Sequence, residues 1–147
     1  MKNPLAALAV IATLASPALA QDAVTYSTKD SFDDVTFALE SAILAQGLVI
    51  DSISHTGDML ERTKKDVGSD VTIFTHADVY SFCSANLSRK VMEADYMNII
   101  FCPYDIFVFA RPDSDETVVG FRAYPEGPMQ DVQALLDTIA REAAGVE

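Results

Sequence analysis

The stretch DIFVFA-RPDSDE-TVVGFRAY, residues 105–124, decides the fold class. Asp105 to Ala110 alternates, with Ile106 and Val108 on one side and Phe107 and Phe109 on the other. β-branched and aromatic residues dominate, as in strands. Arg111 to Glu116 is a polar turn rich in Pro, Asp and Ser. Thr117 to Tyr124 alternates again, so the two runs predict an antiparallel hairpin. Pro125 to Pro128 closes it.

Downstream, Val132, Leu135, Leu136, Ile139, Ala140 and Ala143 recur at helical spacing, and Gly145 ends the run. Upstream, Asn98 to Cys102 (NIIFC) is a continuous apolar run and predicts a buried strand, with Pro103 interrupting its ladder. A helix capped by Asn86 or Ser84 precedes it, with Leu87, Val91, Met92 and Tyr96 inward. Asp78 to Cys83 and Val71 to Thr75 are both strand-like. Asp58 to Lys65 predicts a short helix capped by Asp58. Leu48 to Ile53 predicts a strand with Leu48, Ile50 and Ser52 facing one way. Before it, Phe32, Val35, Leu39, Ala42 and Ile43 form a helical stripe between an N-cap at Ser31 and a stop at Gly47. Val24 to Thr28 is a short strand. The expected architecture is therefore α+β: a single sheet of about five strands, with helices packed mainly on one face, which would bury every stripe.

Size and charge narrow the function. The chain has 147 residues, with 10 basic and 22 acidic side chains and a net charge of -12. One core fits this length. So acidic a chain lacks the clustered cations a nucleic-acid binder needs. A Walker loop, a dinucleotide glycine fingerprint, HExxH and GxSxG are all missing from the sequence. The start reads as an export signal: a basic Met1-Lys2-Asn3, an apolar run from Leu5 to Ala15, then Pro17 and Ala18-Leu19-Ala20. The run is too short to span a bilayer, which takes about 20 apolar residues. Residues 1–20 are expected to be removed after Ala20, leaving residues 21–147 as one domain in a bacterial periplasm. Only one cation, Lys2, leaves with them, so the remaining chain carries 9 basic and 22 acidic side chains. No later segment is long and apolar enough to span.

Several segments resemble the DUF302 family of small α/β domains. Ser27-Thr28-Lys29, followed by Ser31-Phe32-Asp33-Asp34-Val35 and a helix with Leu39 and Ile43 before Gly47, resembles the family's opening. Tyr80-Ser81-Phe82-Cys83-Ser84-Ala85 resembles its strand end with a cysteine, and Leu87 to Asp95 its central helix. Ile99-Ile100-Phe101-Cys102, then Ile106-Phe107-Val108, resembles its apolar strand with a second cysteine. Residues 24–126 are covered. One position departs: Phe101 stands where the family usually has Pro, and Pro103 follows Cys102. The resemblance implies a fold and no general activity.

The residues offer four chemistries. Cys83 and Cys102 are the only cysteines, and thiols in an oxidising compartment tend to pair. Closing that loop would stabilise by roughly 3 kcal/mol. Both sit at the ends of apolar runs. If their strands run parallel, joined by a helical crossover, their ends share a sheet edge. A helix N-terminus after Cys83 would lower its thiol pKa and suit redox exchange. Metal handling is the second chemistry. Cys83, Cys102, His55, His76, Met59, Met92 and Met97 are soft or borderline ligands that favour cuprous copper, yet none shows ligand spacing. No cofactor is otherwise expected. Acid–base hydrolysis is the third, and Asp33, Asp34, Asp113, Asp115, Glu116 and Asp131 sit at helix starts or turns, their ordinary structural places. The fourth is binding. Tyr80, Phe82, Phe101, Tyr104 and Phe107, with Phe109, Phe121 and Tyr124, cluster on neighbouring strands, and on an uncovered sheet face they would form a ligand pocket or a dimer face. The expectation is an exported ligand-binding or assembly module, leaning away from an enzyme, with a small-molecule or protein partner and a homodimer open. Its alternative is a periplasmic thiol-redox or copper-handling protein using Cys83 and Cys102.

Overall fold

A computed structural model describes residues 23–146; the export signal read over residues 1–20 lies outside them. Five strands, β1 (Ala23–Thr28), β2 (Val49–Ser54), β3 (His76–Cys83), β4 (Tyr104–Ala110) and β5 (Thr117–Arg122), form one sheet in the order β1-β5-β4-β3-β2. Every neighbouring pair is antiparallel. β1 and β2 therefore occupy opposite edges. α1 (Phe32–Ala45), which joins them, must carry the chain from one edge of the sheet to the other. α2 (Thr56–Thr63), α3 (Ala85–Ala94) and α4 (Gln130–Ala143) complete the fold, with a 3-10 helix at Tyr96–Phe101. No helix among the described residues is long and apolar enough to cross a membrane.

The helical stripes read from the sequence are the ones buried. Ser31 caps α1, its Oγ accepting from the Asp34 amide at 3.1 Å while its hydroxyl donates to the Asp34 carboxylate at 2.7 Å. Val35, Leu39, Ala42 and Ile43 of α1 meet Val132, Leu136, Ile139 and Ala140 of α4, against Tyr80, Phe82, Tyr104, Ile106, Val108, Val119 and Phe121 of the sheet. Each large side chain buried there contributes about 1.5–3 kcal/mol. The alternate sheet residues, among them Val79, Phe107, Phe109 and Val118, face away from α1 and α4 and stay only partly covered.

Six expectations are corrected. NIIFC is not a strand: the Asp95 carboxylate accepts from the Met97 amide at 2.9 Å and opens a 3-10 helix, which leaves Ile99 and Ile100 more than half exposed. Tyr96, expected inward, is 78% exposed. Val71 to Thr75 has no strand partner, and the ladder of β3 begins at His76. α2 starts at Thr56 rather than after a cap at Asp58, and its N-cap residue His55 makes no capping bond. In β2 a bulge at Asp51 breaks the alternation, so Ile50 and Ile53, not Ile50 and Ser52, pair with the core-facing Phe82 and Tyr80. Finally, β3 and β4 run antiparallel, so no parallel crossover joins the two cysteine-bearing segments.

Candidate functional site

Antiparallel pairing brings the cysteines together by a different route from the one expected. β3 ends at Cys83 on the edge where β4 begins, two residues after Cys102. α3 and the 3-10 helix make the excursion between them. The sulfurs lie 3.9 Å apart as free thiols, Cys83 exposed and Cys102 partly buried. A disulfide needs about 2.05 Å, so the expected bond is not formed here. Ser88 of α3 approaches both the Cys102 sulfur, at 3.5 Å, and the Tyr104 hydroxyl, at 3.0 Å.

Electrostatics at Cys83 runs against the expected activation. The thiol precedes the cap residue Ser84 and so stands just outside α3. Burial, then the neighbouring Cys102 and the charge of Asp51, push its pKa up to about 11, against a smaller lowering from a Tyr104 backbone hydrogen bond. Burial likewise pushes the Tyr104 hydroxyl up to about 12. Near neutral pH both stay protonated.

Beside the thiols, on the open face of the sheet, lies a groove of about 430 Å³. Ile100, Phe101, Cys102 and Pro103 form its wall; the Cys102–Pro103 peptide is cis. Val79, Phe107 and Ala23 form an apolar floor. Asp105 and Arg122 supply opposite charges. Asp105 accepts a hydrogen bond from Ser81 Oγ at 2.5 Å, across the β3–β4 ladder. Among the described residues Arg122 makes no ion pair. Tyr124, nearly buried, closes one end, its ring 5.5 Å from that of Phe101; burial holds its hydroxyl far above the ordinary range.

The five aromatics proposed for a pocket are thus divided. Phe101 and Phe107 line the groove, while Tyr80, Phe82 and Tyr104 are at most 2% exposed in the core beneath α1 and α4. The split follows strand parity: residues 80, 82 and 104 lie on the helix-covered face and 107 on the other. Val79, Asp105 and Arg122 escaped the sequence reading. Their signal was there, since Asp105 and Arg122 are the polar residues at alternate positions to the core-facing Ile106 and Phe121.

Of the soft ligands, the two cysteines meet, while the histidines lie elsewhere. His76 and Cys83 stand at opposite ends of β3, a separation of roughly 23 Å at about 3.3 Å per residue. His76 stacks on Phe32 at 5.0 Å, and His55 Nδ1 bonds Asp78 at 2.9 Å. Among the described residues no three His, Cys, Asp or Glu side chains gather as a metal site. The acids are engaged structurally: Asp113 with Arg111, Asp115 and Glu116 with Lys29, and Asp131 with Lys90.

Comparison with known proteins adds the family. The model described as "Domain of unknown function DUF302" matches residues 24–144. A solved structure of an uncharacterized conserved DUF302 protein from Bacillus stearothermophilus superposes with a TM-score of 0.59. The match covers 86% of this chain and 95% of that one at 14% identity, a likeness of fold. No curated protein matches.

Proposed function

The chain belongs to the DUF302 family, and on that premise we propose that it is an exported binding module whose working surface is the groove over Phe107. The observation that carries this reading is an apolar floor beside a cation that makes no ion pair among the described residues. Val79, Phe101 and Phe107 offer a desolvating surface, and Arg122 lines the same groove. At about 430 Å³ the groove lies within the range of small-molecule sites, about 300–1,000 Å³. A ligand with an apolar body and an anionic end matches both features.

The probe 8-anilinonaphthalene-1-sulfonate has that chemistry. Its fluorescence should rise on binding, and Phe107→Ala and Arg122→Gln should each weaken it several-fold. Arg122 is exposed, so its variant leaves the core intact. Binding that neither substitution alters would sink the groove as the site. For export, the intact mass of the protein recovered from the periplasm should correspond to a chain beginning at Gln21.

A second reading rests on the thiols. Sulfurs 3.9 Å apart, one of them exposed, support exchange with a partner disulfide or capture of a cuprous ion by two thiolates. Elemental analysis of the purified protein separates the two.

A further inference from the structure

The thiol pair and the groove share a residue, and the sharing has a mechanical consequence. Cys102 belongs to the groove wall between Phe101 and Pro103, while Cys83 does not line the groove. We propose that Cys83 and Cys102 form a redox-modification site, and that their oxidation to a disulfide withdraws the groove wall and weakens ligand binding. This rests on the groove being the binding surface.

The reactant is a disulfide, either of low molecular weight or on a protein. Cys83 is the exposed sulfur and meets it first. Its thiol loses a proton to solvent, and the thiolate attacks one sulfur of the reactant. The reactant's S–S bond breaks, one half leaves as a thiolate, and a mixed disulfide forms on Cys83. Cys102, 3.9 Å away, then gives up its proton and attacks the Cys83 sulfur. The second half leaves as a thiolate. Two protein thiols have been oxidised, one disulfide has been reduced to two thiols, and the protons are conserved.

Closing 3.9 Å to a bond of about 2.05 Å requires the sulfurs to approach by nearly 2 Å. The two sides do not yield equally. Cys83 is the last residue of β3 and pairs with Val49 of β2, so a strand ladder holds it. Cys102 lies in the two-residue link between the 3-10 helix and β4. The movement therefore falls on Cys102 and carries Phe101 and Pro103 with it. Its direction is set by strand order. In β1-β5-β4-β3-β2 the pull is toward β3, away from β5 and β1. Arg122 on β5 and Ala23 on β1 are the lining residues left behind.

The experiment treats the full mature protein with oxidised or reduced glutathione. Intact mass reports the bond as a loss of about 2 Da. The sulfonate probe is titrated into each form. The oxidised protein should bind it several-fold more weakly. Cys83→Ser, which leaves the groove lining untouched, should bind identically after either treatment once any glutathione adduct has been removed by gel filtration with reductant. Amide NMR shifts of Val79, Phe107 and Arg122 provide a readout independent of the probe and should move on oxidation. Failure to lose 2 Da overturns the modification site. A disulfide that forms while affinity is unchanged or tighter overturns the withdrawal. If the probe binds neither form, the groove reading fails, and the withdrawal then stands or falls on the NMR shifts alone.

Discussion

Gly120→Ala tests the packing of the open face in one atom. Gly120 pairs with Thr25 on one side and Phe107 on the other. An added Cβ would lie 2.5 Å from the Val24 carbonyl oxygen, 2.8 Å from the Phe107 ring and 2.9 Å from the Thr25 methyl. The ring and the methyl end flexible side chains and can turn away. The carbonyl belongs to β1, so the edge strand itself must retreat by about 0.9 Å to restore ordinary van der Waals contact. Such overpacking costs about 1–3 kcal/mol. Loss of glycine's unfolded-state freedom opposes it by about 0.4–1 kcal/mol, since Gly120 does not have a positive φ. At the middle of each range, about 2 against about 0.7 kcal/mol, the steric cost should win by about 1.3 kcal/mol. For a domain of this size that is a fall in Tm of roughly 4–8 °C by calorimetry. Phe107→Leu in the same chain should recover the ring's share and leave the carbonyl's. A Tm equal to or above that of the parent would show that β1 moves freely and that Gly120 is not confined by it.

Leu39 is fully buried, and Leu39→Ala should destabilise by about 2–5 kcal/mol in urea; an unchanged midpoint would place α1 in another phase. His55 is raised from its ordinary pKa by its hydrogen bond to Asp78 and then by that carboxylate's charge. The pair therefore contributes stability below the unfolded value of about 6.5, lost as pH climbs through the folded one. In Asp78→Asn the NMR titration midpoint of His55 should fall back toward 6.5, and an unmoved midpoint would contradict the pairing. With burial, then Cys102 and Asp51, raising it, the Cys83 thiol should alkylate with iodoacetamide ever faster as pH rises toward about 11. A plateau near pH 8.5 would show an ordinary thiol.

Periodicity made α1 and α4 legible because a helix on a sheet must bury one stripe. Val35, Leu39 and Ile43, or Val132, Leu136 and Ile139, can do so only at helical spacing. The β4–β5 hairpin was legible because turn chemistry between two alternating runs is local. NIIFC misled for the converse reason. Its apolar run of four reads the same whether a sheet receives it or solvent does, and the local cue was Asp95, whose carboxylate caps the 3-10 helix. The candidate site was half legible. Its cysteines stood out by being the only two, whereas three of the five aromatics chosen for the pocket lie in the core.

Sequence alone determined what is local or periodic: the elements with a stripe or a turn, the Ser31 cap of α1, the acidic balance and the family resemblance. Tertiary structure alone decided which strands are neighbours. Strand order and direction depend on contacts between residues far apart in the chain, and no short window carries them. That order put β1 and β2 at opposite edges, turned Phe107 outward while Tyr104 went inward, and set the Cys83 and Cys102 sulfurs 3.9 Å apart beside Arg122's groove. The physical reason is that a strand's two faces are alike in sequence until α1 and α4 cover one of them.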